Sequence, residues 1–163
     1  MAHEYSLKEN GHWLHSMHAR PSSAVMILED AQERALIVKA NYKAHWTFTG
    51  GIVDAGETPK QAAIREVAEE VGLHINPETV QFRWMAARHS VVADTYQFIF
   101  TAPFDAALVE TIILQASEID EWRLVTKAEV LSNNLHYAKT VVLWAQNNTE
   151  GYVEQTFGVD VRV

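Results

Sequence analysis

The chain has 163 residues, with 13 Lys+Arg against 21 Asp+Glu, a formal net charge of −8 and no Cys. This length suits one compact domain, and the missing Cys excludes a disulfide scaffold, a Cys-ligated zinc or iron–sulfur site and a thiol nucleophile. The acidic balance argues against a protein that coats a nucleic-acid polymer, which needs clustered Lys and Arg, but it leaves room for a local basic pocket holding a small anion.

Residues 1–20 are polar and read as a loosely packed leader ahead of a single domain over 21–163. They carry His3, His12, His15 and His18. The spacing of the last three puts imidazoles along one side of a helical turn, yet no carboxylate or Cys stands at ligand spacing to complete a metal site. No apolar stretch follows a basic start, and no run approaches the roughly 18 apolar residues of a membrane helix. The expectation is a cytoplasmic protein without a membrane partner.

Strand signals begin at Ser22. The apolar runs 24–28 and 35–38 flank a polar turn over 29–34 and predict a hairpin of two buried strands. A third strand is predicted over 46–49, ended by Gly50 and Gly51. Residues 80–87 and 95–101 read as strands, 111–114 and 122–125 as shorter ones, and 126–131 as one or two helical turns. Residues 134–146 place Leu135, Ala138, Val141, Val142 and Ala145 at helical spacing and predict an amphipathic helix. The tail 151–159 reads as an edge strand or a docked segment. Strands and helices mixed without strict βαβ alternation favour a mixed sheet covered by helices.

The chemistry concentrates in residues 50–73. Thr58 is a good N-cap, Pro59 suits the first helical position, Gln61 completes a capping box and Gly72 is a natural stop. These signals predict a helix over 59–71. At about 100° per residue, Ile64, Val67, Ala68 and Val71 share one face, and Glu66, Glu69 and Glu70 share the opposite one beside Arg65. The like-charged Glu66 and Glu70 at i,i+4 repel each other, and only Arg65 relieves them. Helix geometry alone leaves two readings open, a solvated acidic face and a cage for a hard divalent cation. The loop before the helix favours the cage. Gly50, Gly51 and Gly56 let backbone groups approach a metal or a phosphate, and Glu57 sits just ahead of the helix N-terminus, where negative charge is favourable.

Gly51, Glu57, Arg65-Glu66-Val67, Glu69-Glu70 and Gly72-Leu73, at these intervals, resemble the signature box of the Nudix (MutT-like) hydrolases. Every fixed position of that pattern is filled. Trp46 to Gly51 resembles the family's approach to the box, with Thr49 where a Pro is usual. The resemblance implies an α/β/α sandwich with a mixed β-sheet. It also implies hydrolysis of a nucleoside diphosphate linked to another moiety, by water attack on phosphorus with Mg²⁺ or Mn²⁺. It makes Glu66, Glu69 and Glu70 the metal-binding carboxylates, with the carbonyl of Gly50 as a further ligand. Arg65 would orient the carboxylates and Glu57 support the loop. Members often use one more Glu after the box as ligand or base; Glu121 is the first choice here and Glu118 the second.

For the rest of the substrate, Lys39, Lys43, Arg83, Arg88 and His89 are candidates to reach phosphates, and Tyr42, Trp46, Phe48, Trp84 and Trp122 to stack on a base. Solvation and core packing are the commoner fates of such residues. Residues 80–90 hold neither Pro nor Tyr, so readings based on ADP-ribose or diadenosine polyphosphates gain no support. The expected partner is a small nucleotide, and homodimers are common in the family. The alternative is a non-catalytic sensor of nucleotide metabolites on the same fold, against which the filled box argues. The isomerase branch of the fold needs a catalytic Cys, which this chain lacks.

Overall fold

The computed structural model describes residues 6–157, without the side chains at 7, 9 and 10. Helix α1 spans Leu7–Ser16 and exposes His12 and His15; the His15 ring donates to the Gly11 carbonyl at 2.7 Å. His18 is exposed beyond the helix, and His3 lies outside the described residues. Seven strands follow among the described residues: β1 (Ser22–Glu29), β2 (Arg34–Ala40), β3 (Thr49–Ile52), β4 (Gln81–Ser90), β5 (Thr95–Pro103), β6 (Ile119–Thr126) and β7 (Tyr152–Phe157). Helix α2 (Pro59–Val71) lies between β3 and β4, and α3 (Lys127–Ser132) and α4 (Lys139–Ala145) lie between β6 and β7. Among the described residues no helix is long and apolar enough to cross a membrane.

The strands form one mixed sheet in the order β6-β2-β1-β5-β4-β7, with β3 paired to β1. The pairs β1–β5 and β4–β7 are parallel and the others antiparallel. Strand β1 shows why both faces are covered. Successive side chains point to opposite faces. Ala24, Met26 and Leu28 pack with Ala62, Val67 and Val71 of α2, while Val25 and Ile27 pack with Val130, Val141 and Trp144 of α3 and α4. The result is the expected three-layer α/β/α sandwich.

Helix α2 follows its local signals residue for residue. The Thr58 hydroxyl accepts from Gln61 N–H, the Gln61 side chain accepts from Thr58 N–H at 2.8 Å, and Gly72 caps the end at φ 72°. Thr58→Ala is expected to lower stability by about 1 kcal/mol, read from the denaturant midpoint at unchanged slope.

Four expectations are corrected. The third strand does not end at the glycines; it runs through them as Thr49–Ile52, because β1 offers ladder partners from Ser23 to Met26. Residues 111–114 form no strand. A 3-10 turn over Ala106–Thr111 precedes a loop whose Ile113 and Gln115 amides donate to the carbonyls of Val71 and Glu70. The helix over 134–146 is broken into a 3-10 turn (Asn134–His136) and α4. Between them Tyr137 is extended, since Trp46 bridges to it through Trp46 N–H to His136 O and Ala138 N–H to Trp46 O. The buried face of α2 is not opposite its glutamates: it comprises Ala62, Ala63, Val67, Glu70 and Val71. The two alanines allow the helix to approach the sheet closely, and that approach brings Glu70 inside.

Candidate active site

The site is built where β3 meets α2, and two glycines permit the contact. Gly50 has φ 149°, and a Cβ there would stand 2.2 Å from the Ala24 carbonyl. A Cβ on Gly51 would stand 2.3 Å from Oε1 of Glu66. With neither Cβ present, Gly50 N–H donates to Oε2 of Glu70 at 2.9 Å.

Glu70 is only 2 % exposed. Burial pushes its carboxyl up to about 7; the Gly50 hydrogen bond opposes this, and the negative charges of Glu66 and Glu118 add to it. Burial likewise raises Glu66, against the pull of the neighbouring Arg65.

Arg65 joins loop and helix. Its Nη1 donates to Glu66 at 2.8 Å and to Glu69 at 2.9 Å, and its Nη2 to Glu57 at 2.7 Å and the Ile52 carbonyl at 3.0 Å. Its Nε donates to the other Glu57 oxygen at 3.2 Å. These carboxylates, Glu57 first, raise its already high pKa. Glu57 also accepts from Asp54 N–H at 2.8 Å, and the Arg65 contact leads the causes that hold its carboxyl below the usual range. The loop before α2 is thus tied to the face that carries the glutamates.

A cavity of about 230 Å³ is lined by Gly50, Gly51, Arg65, Glu66, Glu70 and Glu118, together with Tyr42, Ile52 and Asp54. Glu118 reaches it because its turn is docked from two sides. Gln115 N–H donates to the Glu70 carbonyl and Glu118 N–H to the Gln115 carbonyl, while the backbone and side-chain amides of Asn41 hold the carbonyls of Glu118 and Ser117. Asp54 carried no sequence signal beyond its place in the loop. Among the described residues no three acidic or imidazole side chains form a ready-made cation cage.

Glu66, Glu70, Arg65, Gly50 and Glu118 are therefore brought together, and Glu57 joins them through Arg65. Glu69 is half exposed, bonded to Arg65 and not on the cavity wall. Glu121 is exposed on β6, across the ladder from Lys39, and does not line the cavity. Lys39 donates to the carbonyls of Lys43 and Ala44 at 2.7 and 2.6 Å, so its ammonium pins the β2–β3 loop. The Trp46 ring lies under Arg123 at 4.1 Å, and Phe48 is a core residue packed edge-on against Trp144. Arg88 is half buried beside a neighbouring trough and stands over Phe157.

Comparison with known proteins agrees with this architecture. A family model described as NUDIX domain matches residues 19–144. A Mycobacterium tuberculosis protein named putative 8-oxo-dGTP diphosphatase 3 is 34% identical over 118 residues, covering 72% of this chain and 52% of that protein. An RNA pyrophosphohydrolase of Psychrobacter sp. is 29% identical over 133 residues, covering 71% of this chain and 76% of the relative. Among solved structures, a MutT protein from Methanosarcina mazei superposes with a TM-score of 0.64 at 16% identity, over 82% of this chain and 100% of that one. The chain spans about half the length of the Mycobacterium tuberculosis relatives it matches.

Proposed function

The chain belongs to the Nudix family, and from that premise we propose that it hydrolyses a phosphoanhydride bond in a nucleoside diphosphate linked to another moiety. The observation that carries this is the convergence of Glu66, Glu70 and Glu118 on one small cavity, with Glu70 buried and held by a backbone amide. The diphosphatase and pyrophosphohydrolase names of the two relatives support the same bond type.

The donor set fits a hard divalent cation of the Mg²⁺ or Mn²⁺ kind, since it offers only oxygen. Glu66 and Glu70 are desolvated and repel one another, so positive charge placed between them is favourable. Glu66 and Glu70 would hold the ion, with the Gly50 carbonyl as a further ligand. When bound it neutralises phosphate oxygens and lowers the pKa of water.

The chain's own residues supply position and proton transfer. Arg65 fixes the Glu66 carboxylate and anchors the loop through Glu57. A water attacks phosphorus, a new P–O bond forms, the anhydride P–O bond breaks and the leaving phosphate departs with its electron pair. Glu118, on the cavity wall, takes the proton of that water.

The test is a screen of NTPs, dNTPs, dinucleoside polyphosphates and nucleotide sugars for Mg²⁺-dependent release of phosphate or nucleoside monophosphate. Glu118→Gln is expected to lower kcat by roughly 10²–10⁴-fold, and Glu121→Gln to change it by less than about twofold. The reverse ranking returns the base to Glu121. Absence of release from every substrate class would overturn the hydrolase.

A further inference from the structure

Two residues with binding chemistry, Arg83 and Trp84, lie away from the glutamates. They line a cavity of about 430 Å³ together with Ile27 and Glu29 of β1, Lys127 of α3 and Trp144 of α4. Trp84 and Ile27 pack in the part of the core under α3 and α4, whereas Glu66 and Glu70 stand on α2, across the sheet. Gly50 of the glutamate cavity pairs with Val25, and Glu29 lies four residues further along β1, roughly 13 Å at about 3.3 Å per residue. The sheet therefore separates a molecule in this cavity from a phosphate at the glutamates.

A bulge builds the cavity. Side chains two apart on a regular strand share a face. Phe82 and Trp84 do not: Phe82 packs edge-on against Phe100 on the α2 side, with ring centroids 5.7 Å apart, and Trp84 is turned to the other side. The register of β4 on β5 shifts between them and leaves Arg83 without a ladder partner. An extra residue of this kind re-aims the side chains around it. Here it sets the sequence neighbours Arg83 and Trp84 on one cavity. The chain after α4 supplies another wall, where Asn147 takes φ 56° and its N–H donates to the Trp144 carbonyl at 2.9 Å.

The walls hold donors without acceptors. Trp84 is 1 % exposed, and its indole Nε1–H has no partner. The Trp144 indole, by contrast, donates to Glu29, the one carboxylate on the wall. An indole nitrogen only donates, and a buried donor left unpaired destabilises a fold, so its retention points to an acceptor that arrives with a ligand. Arg83 is exposed and has no carboxylate partner among the described residues. Lys127 pairs with Glu33 at 3.8 Å, and its ammonium stands 5.6 Å from the Trp144 ring. Two cations thus face one carboxylate that is already engaged, in a chain of net charge −8.

We propose that this cavity binds a small organic anion, a carboxylate or a phosphate monoester. Its head accepts from Trp84 and Arg83, and its apolar body lies against Ile27 and Trp144. The volume decides for an organic ligand, since about 430 Å³ is the scale of a small-molecule pocket and exceeds what a bare inorganic anion fills. The proposal is independent of the hydrolytic reading, because none of these residues belongs to the glutamate cavity.

The experiment follows the indole N–H signals of the five tryptophans in ¹H–¹⁵N spectra of the full chain in EDTA, with the Trp84 signal assigned by through-bond correlation. Phenyl phosphate, benzoate, inorganic phosphate, acetate and benzylamine are each titrated to about 10 mM. Phenyl phosphate or benzoate is expected to move the Trp84 signal downfield to saturation, and whichever binds more tightly identifies the head. Inorganic phosphate and acetate are expected to bind at least about tenfold more weakly, because they bury no ring. Benzylamine is expected to leave the signal in place. Arg83→Met changes an exposed side chain and is expected to weaken the response to the aromatic anions about tenfold. A Trp84 signal that no anion moves overturns the site. So does an equal response to benzylamine, equal binding of the bare anions, or a response that Arg83→Met leaves intact. No probe here carries an anhydride and no metal is present, so failure of the hydrolysis screen overturns the reaction alone, and a silent Trp84 overturns this site alone.

Discussion

Replacing Glu70 with Gln is expected to lower hydrolysis by at least about a hundredfold while raising the melting temperature of the metal-free protein at pH 8 by several degrees. The activity loss follows from removing the most buried carboxylate of the cavity. The stability gain follows from linkage. The Glu70 carboxyl titrates near 7 in the fold, against an ordinary value of 4.5, chiefly because burial disfavours its charged form. Folding therefore favours the protonated form. Stability is fully present below pH 4.5, declines as pH rises, and has lost the whole contribution above about 7. The difference is on the order of 3 kcal/mol at pH 8, reduced in the variant by the new amide's own need for partners. Melting curves in EDTA at pH 4.5 and pH 8 check the sign: the variant's advantage should be large at pH 8 and nearly absent at pH 4.5. A Glu70→Gln protein that melts lower than wild type at pH 8 would show that the ionised carboxylate is no burden to the fold.

The second large effect separates two adjacent glycines. Gly50→Ala is expected to destabilise by at least about 3 kcal/mol, because φ 149° is rarely open to an L side chain and the new Cβ meets the backbone of β1 at 2.2 Å. That obstacle is a strand in the middle of the sheet and cannot step aside. Gly51→Ala meets first the end of the Glu66 side chain, at 2.3 Å, which can swing away. Its stability is expected to stay within about 1 kcal/mol of wild type while hydrolysis falls, since Glu66 leaves the position that Arg65 gives it. Denaturant melts and Mg²⁺-dependent turnover on both variants settle the matter. A Gly51→Ala protein with full activity would remove Glu66 from the mechanism.

Much of this was open to reading because it is local. The cap, box and stop of α2 lie within the fifteen residues from Thr58 to Gly72, and each acts on neighbours it can reach along the chain, so the helix bounds and the order of its glutamates follow from the sequence. The apolar runs of β1 and β2 are equally local, as is the spacing that relates the chain to its family. The break at Tyr137 was not legible, because the periodicity of 134–146 is helical and only the distant Trp46 imposes the extended link. The strand over 49–52 was not legible for a similar reason: glycine loosens an isolated strand, yet here it is what allows β3 to lie between β1 and α2.

The sequence by itself determined the helix, the set of glutamates and the kind of chemistry that oxygen donors can support. Only the tertiary structure decided which carboxylates share a cavity. Ala62 and Ala63 let α2 settle close enough to bury Glu70, and the turn over 115–118 bonds to the end of that helix and brings up Glu118 rather than Glu121. Hydrogen-bond partners and close packing between segments far apart in the chain have no periodicity to announce them, because they depend on where the whole sheet places each strand.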